Sequence, residues 1–214
     1  MNLLIAFTST RRDGNARPPA KLRRFLASKS LPQAIAIAEQ VHGARLAIVP
    51  KLERTQKYPG MDGLLTAAAN QPLGIFTADC VSIFLSAPSQ GLEGLLHAGW
   101  RGVRGGILPK ALRLMQKRWH CPSRAVHVWL GPSIGPCCVE VQWDVARFFP
   151  ATRRRHGDRW KVNLAQEIAR QTRRSGARFL SVPAVCTRHT SRFYSYRRDQ
   201  TDARQISVMM RSQE

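Results

Sequence analysis

The chain has 214 residues, 34 of them Lys or Arg and 13 Asp or Glu, giving a formal charge of +21 at pH 7. Apolar residues make up 43% of it, enough to build a core and too many for a disordered polypeptide. No run of about 18 apolar residues occurs, which excludes a transmembrane helix of the usual kind. Taken in chain order, short apolar runs bounded by Gly and Pro predict strands at LLIAF (3–7), ARLAIV (44–49), LGIFTA (73–78), VSIFLSA (81–87) and GLEGLLHA (91–98). A helix follows. It starts near Gly105 and Gly106 and places Leu108, Leu112, Met115 and Trp119 on one stripe, with Pro109 tolerable only in the first turn. Strands resume at AVHVWL (125–130). A second helix begins at Asn163, with Gln166 completing a capping box, turns Leu164 and Ile168 inward and stops at Gly176. RFLSV (178–182) and QISVMM (205–210) are the last expected strands. Consecutive strands favour hairpins over strict βαβ winding. The expected fold is therefore mixed α/β: mixed sheets packed as a sandwich, covered by a few helices, in one domain spanning 1–214.

The opening MNLLIAFTSTRRDG has too short an apolar stretch and no basic leader for a secretory signal, so a cytoplasmic location is expected. Five cysteines (Cys80, Cys121, Cys137, Cys138, Cys186) cannot all pair and show no framework spacing, the pattern of free thiols. Charged residues total only 22%, so the positive excess comes from missing acids. Arginine outnumbers lysine 27 to 7, in scattered clusters such as Arg153 to Arg155. This scatter reads first as a solvated surface, and otherwise as nucleic-acid binding or as a field steering a small anionic substrate.

Three places put reactive side chains where strands end. QVHG (40–43) carries an imidazole before a glycine that lets the backbone turn; TADC (77–80) joins a carboxylate to a thiol; HAGWRG (97–102) sets an imidazole, an aromatic plane and a guanidinium among small residues. Singly, His42 and His97 read as structural histidines and Cys80 as a small buried hydrophobe. Together they make a set of two imidazoles and one thiolate. Three protein ligands with an open fourth position are the mark of catalytic zinc. Thirty-eight residues separate His42 from Cys80 and 17 separate Cys80 from His97, so no local metal motif forms.

QVHG, DGLLT (62–66), TADC, HAGWRG, LGPSIGPCCVEV (130–141), WKVNL (160–164), CT (186–187) and YSYRRD (194–199), in that order, resemble the laccase-domain, YfiH-type family. That family is also called polyphenol oxidase, and its members are described as purine nucleoside phosphorylases. The resemblance runs from Gln40 nearly to the end and implies zinc on His42, Cys80 and His97. It further implies phosphorolysis of adenosine, inosine, guanosine or methylthioadenosine, with purine nucleoside and orthophosphate as partners and adenosine deamination as a companion activity. The family's amino-terminal arginine matches Arg11 or Arg12. Its Tyr-Glu-Val becomes Val139, Glu140, Val141, and its Thr-Gly-Arg becomes Thr201, Asp202, Ala203, Arg204.

Chemical roles follow from side-chain type. Arginine forks suit orthophosphate, which points to Arg101 and Arg11, and the LGPSIGP turn offers backbone amides for an anion. Asp79, beside the thiolate, either transfers a proton or orients a ligand. Trp100 either stacks on a purine or covers the core, and Gln40 and Arg204 fall on the substrate side. Water activated by a metal would attack the purine carbon that bears the amino group. Cys137 and Cys138 read as turn fillers more than as a reactive pair, and Cys186 as packing. Tyr194 and Tyr196 alternate in and out if their segment is a strand.

Rival readings are separable. A His2Cys set is also the blue-copper arrangement, usually with an axial Met, so copper is the alternative metal. Six histidines, with His120, His127, His156 and His189 in unrelated contexts, cannot also supply a trinuclear cluster. A metal-free cysteine hydrolase would use Cys80 as nucleophile and His97 as base. A basic nucleic-acid-binding protein would leave these residues structural and bind with a steep salt dependence.

Overall fold

The computed structural model describes residues 2–181 and 183–213. Strand β1 (Asn2–Thr8) and helix α1 (Pro19–Ser28) precede a run of strands: β2 (Ala36–Glu39), β3 (Leu46–Val49), β4 (Gln56–Pro59), β5 (Gly63–Thr66), β6 (Leu73–Thr77), β7 (Val81–Ala87) and β8 (Leu92–Ala98). Next come α2 (Trp100–Arg104), α3 (Ile107–Trp119), β9 (His127–Leu130), β10 (Glu140–Val141), α4 (Trp143–Ala146), β11 (Arg153–His156) and β12 (Arg159–Val162). The order closes with α5 (Leu164–Arg174), β13 (Arg178–Ser181), α6 (Tyr196–Asp199) and β14 (Gln205–Gln213).

Two large mixed sheets form the body. One runs β1-β14-β6-β2-β4, antiparallel through β6 and parallel beyond it; the other runs β13-β9-β7-β8-β5-β3, antiparallel in the middle and parallel at both edges. Strand alternation sorts their side chains into layers. On β14, Ile206, Val208 and Met210 pack under Leu22, Phe25 and Leu26 of α1, while Met209 faces the opposite sheet. On β7 and β8, Ile83, Leu85, Leu92 and Leu96 meet α3 and α5, while Phe84 and Leu95 join Met209 and Ile75 between the sheets. The result is a sandwich with α1 on one outer face and α2, α3 and α5 on the other. A third small sheet, β10-β12-β11, flanks it.

Both expected helices form. Gly106 (φ 69°) leads into α3, and the Asn163 side chain accepts from Gln166 N at 2.9 Å at the start of α5, which Gly176 (φ 75°) ends. All eight expected strands are present, the last residue of RFLSV, Val182, lying outside the described residues. The condition for alternation of Tyr194 and Tyr196 is not met. Their segment is not a strand: Ser195 caps the short helix α6, and Asp199 N returns to Ser195 O at 2.8 Å. No helix among the described residues is long and apolar enough to cross a membrane.

Candidate active site

The site lies where strands from both sheets end. After β2, the Gln40 amide is spent on β6: its Oε1 accepts from Phe76 N at 2.9 Å and its Nε2 donates to Phe76 O. Gln40 lines the cavity while its amide anchors the following turn to β6. His42 itself adopts the left-handed conformation (φ 60°), not Gly43 as the sequence suggests. The glycine serves close approach, since a Cβ at Gly43 would lie 3.2 Å from Asp62 Oδ2. After β6, Asp79 is also left-handed (φ 91°) and turns the chain so that Cys80 heads β7. His97 is the penultimate residue of β8, two beyond Leu95, on the inter-sheet face.

One ligand atom each from His42, Cys80 and His97 lies within 4.8 Å of the others, and the two imidazoles meet edge-on at 4.9 Å between centroids. Gly99 makes this possible. A Cβ there would stand 3.2 Å from Cys80 Sγ and 3.4 Å from His42 Cδ2. Asp62, just before β5, completes the arrangement and was given no role by the sequence, although DGLLT begins with it. Its Oδ1 lies 2.8 Å from His97 Nδ1, and its Oδ2 accepts from Gly43 N at 2.7 Å and Val41 N at 3.4 Å. One fully buried carboxylate thus aims one ligand and fixes the loop of another.

Charge follows the geometry. Burial opposes ionisation of Asp62, but the His97 ring and the Gly43 and Val41 amides outweigh it and hold the carboxyl below its ordinary range. Burial alone would also raise the Cys80 thiol; hydrogen bonds from His42 and His97 reverse this and bring it down to about 6. Burial would lower His97, yet Asp62 and Cys80 push it up to about 9. Charge is therefore already separated, a thiolate between imidazoles.

These residues fit a bound metal ion. With Nδ1 of His97 committed to Asp62, its Nε2 would coordinate once a metal displaced the proton held there, the carboxylate–histidine arrangement common at metal sites. Two imidazole nitrogens and a thiolate suit zinc, with a fourth position open to the cavity. Among the described residues lining that cavity there is no methionine to act as the axial ligand of a blue-copper centre.

The cavity holds about 1020 Å³ and His42, Cys80 and His97 form part of its wall. Among the described residues, Arg17, Lys57, Arg101, Arg197 and Arg204 line it against two carboxylates, Glu39 and Asp79, and Glu39 is paired with Lys57 at 3.3 Å. Trp100 is half-buried against the core and also faces the cavity, with the Arg101 guanidinium 4.4 Å from its ring centroid. Arg204 turns its guanidinium onto the carbonyls of Thr201 and Ala203 at 2.6 and 2.9 Å. Asp79 accepts from Thr187 Oγ1 and Arg197 N, both at 2.7 Å, so its carboxylate clamps the segment carrying Arg197.

Two expectations are corrected. Arg11 does not line this cavity; it pairs with Asp199 at 3.3 Å, covers Tyr194 and borders a separate cleft with Arg12 and Arg192. The amino-terminal arginine at the cavity is Arg17, which follows the apolar anchor Ala16 and would have been found by extending the search past the first arginine pair. The LGPSIGP turn does not present a row of free amides either: Gly131 N donates to Ser82 O, Ile134 N to Asp79 O and Gly135 N to Cys186 Sγ. Cys137 and Cys138 do occupy a turn, but Cys186 and His189 come within reach of them.

The fold and site are those of a mixed-sheet sandwich with a His2Cys group at the strand ends that could hold a metal beside a cavity. The chain belongs to the family described as multi-copper polyphenol oxidoreductase laccase, whose profile matches residues 6–212. Its curated relatives carry a different name. The chain is 34% identical over 191 residues to a purine nucleoside phosphorylase of Streptomyces coelicolor, a match covering 85% of this chain and 78% of that one. It is 46% identical over 110 residues to the purine nucleoside phosphorylase YlmD of Geobacillus stearothermophilus, covering 48% of this chain and 40% of the relative. The crystal structure of YlmD from that organism superimposes with a TM-score of 0.91 at 30% identity, over 98% of this chain and 92% of the other.

Proposed function

We propose that this chain is a purine nucleoside phosphorylase carrying zinc on His42, Cys80 and His97, acting on adenosine, inosine, guanosine or methylthioadenosine, with adenosine deamination as a companion activity. The observation that carries the reading is the convergence of three ligand atoms within 4.8 Å on the wall of an arginine-rich cavity. The names of the relatives support the same reaction.

Phosphorolysis requires orthophosphate to be held against the anomeric carbon while the purine departs. A cavity of about 1020 Å³ has room for both partners. Arg17 and Arg101 bind the phosphate as charged forks, with Arg197 and Arg204 adding to the field that concentrates it. Trp100 offers its face to the purine. Asp79 acts as a positioning residue, because both carboxylate oxygens are occupied by Thr187 and Arg197 N and its turn delivers Cys80. Bound zinc supplies Lewis-acid charge for the departing base and the water activation that deamination needs.

The test is incubation with a nucleoside panel, with and without phosphate. Free base and sugar phosphate formed only when phosphate is present meet the proposal; inosine from adenosine alone makes the chain a deaminase, and an inert protein removes both. One observation favours a second reading. The Cys80 thiol near 6 beside His97 near 9 is also the ion pair of a cysteine hydrolase. Zinc analysis separates the two, since one tightly held ion on Cys80 occupies the thiolate that a nucleophile would need.

A further inference from the structure

Outside the cavity a second group of ligating side chains converges. One atom each from Cys137, Cys138, Cys186 and His189 lies within 4.8 Å of the others, and none of these residues belongs to the first site. Cys137 and Cys138 sit on the turn closed by Cys138 N to Gly135 O at 2.9 Å. Cys186 caps the helical turn Thr187–His189, so the Cys-x-x-His spacing brings its two ends to the same place. His189 Nε2 lies 3.1 Å from Cys138 Sγ, and its Nδ1 lies 3.8 Å from Cys137 Sγ.

The loop is shaped around the sulfurs. Gly135 N donates to Cys186 Sγ at 3.1 Å, and a Cβ on Gly135 would lie 3.2 Å from Cys137 Sγ and 3.5 Å from Cys186 Sγ. The thiols also oppose one another. Partial burial and the neighbouring Cys138 and Cys186 push the Cys137 thiol up to about 11, whereas Cys186, against its own burial, is drawn down by the Gly135 and Arg188 amides. A divalent cation at their centre would take thiolates in place of thiols, releasing the displaced protons to solvent.

We infer that Cys137, Cys138, Cys186 and His189 form a second metal site, a closed four-ligand zinc centre that fastens the 131–139 loop to the 186–199 segment. Three thiolates and one imidazole are a structural zinc set, with no position left for substrate. The two fastened segments supply part of the cavity wall, Ile134 and Val139 from one and Tyr196 and Arg197 from the other. Apart from the contacts among the four ligating side chains and Gly135 N to Cys186 Sγ, the hydrogen bond that joins the two segments directly among the described residues is Thr187 N to Ser133 O at 3.0 Å; Thr187 Oγ1 and Arg197 N are held separately by Asp79.

The test is metal counting by plasma mass spectrometry on protein produced with added zinc sulfate and dialysed without chelator. The Cys80→Ser variant isolates the second site from the first: it should keep one zinc per chain, and Cys80→Ser/Cys137→Ser/Cys186→Ser should keep none. A Cys80→Ser protein without zinc overturns the inference and leaves the nucleoside reaction of the unaltered protein to be judged separately. Because the triple variant can fail to fold, the unaltered chain is also titrated with cobalt(II). Thiolate-to-cobalt absorption rising through two equivalents, about three times stronger for the three-thiolate site than for the one-thiolate site, meets the inference. Saturation at one equivalent with the weak band alone overturns it, as does a disulfide among these cysteines in protein kept under air.

Discussion

Asp62 Oδ1 and His97 Nδ1 are 2.8 Å apart inside the sandwich, and the same carboxylate takes the Gly43 amide at 2.7 Å, so one acid orients the His97 ring and fixes the loop of His42. Asp62→Asn tests this link. An amide nitrogen facing Nδ1 forces the proton onto Nε2, where it blocks coordination, while the amide oxygen can still accept from Gly43. Zinc affinity should fall about 10- to 100-fold, measured by competition with a chromophoric chelator, with the circular dichroism spectrum retained. Unchanged affinity would show that the carboxylate does not govern the ring.

His42→Ala, Cys80→Ala and His97→Ala should each lose the zinc of the first site together with nucleoside turnover. Metal content and phosphorolysis are measured on the same preparations. Full phosphorolysis in Cys80→Ala would remove the metal from the proposed reaction.

Arg17→Ala and Arg101→Ala should raise the phosphate KM by about tenfold or more, the cost of one charged hydrogen-bonding fork, and leave the nucleoside KM near its original value. Arg11→Ala should change neither, because Arg11 is held by Asp199 and faces another cleft. An altered nucleoside KM with unaltered phosphate KM would reassign Arg101 to the purine side.

Glu93 lies between the sheets with Oε2 unpartnered, and burial pushes its carboxyl up to about 7 despite Ser86 and Arg211. Its ordinary value is 4.5, so below that pH it is neutral folded or unfolded and affects stability little. Between 4.5 and about 7 the unfolded chain ionises while the folded chain keeps its proton, and stability falls as pH rises. The loss amounts to about 3 kcal/mol by pH 8. Glu93→Gln should narrow the stability difference between pH 5 and pH 8 in urea unfolding; equal differences in both proteins would refute the assignment.

The convergence of His42, Cys80 and His97 was legible because each occurs in a short polar interruption of an apolar strand, and the helices at 107–119 and 164–174 because their stripes and caps are strong. Asp62 was not, since a carboxylate before an apolar run gives no sign that a histidine 35 residues later will meet it. The sequence placed no helix at PAKLRRFLAS, where Arg23 and Arg24 flank the buried Leu22, Phe25 and Leu26. It placed no strand at QKYP either, whose Pro59 is accepted because β4 is an edge strand. RRRH and RWKV carry too many cations for an apolar pattern; there Arg153 stacks its guanidinium over Trp143 and Trp160 at 4.5 and 5.2 Å instead of entering a core.

The left-handed backbone at His42 and Asp79 has a consequence for how the first site is loaded. Each such residue costs of order 1 kcal/mol or more and persists only where its surroundings compel it, as Asp62 does for the His42 loop and Thr187 and Arg197 do for Asp79. That conformational cost is met by hydrogen bonds within the chain itself. A metal taken up there, as proposed, would find His42, Cys80 and His97 already gathered by the fold.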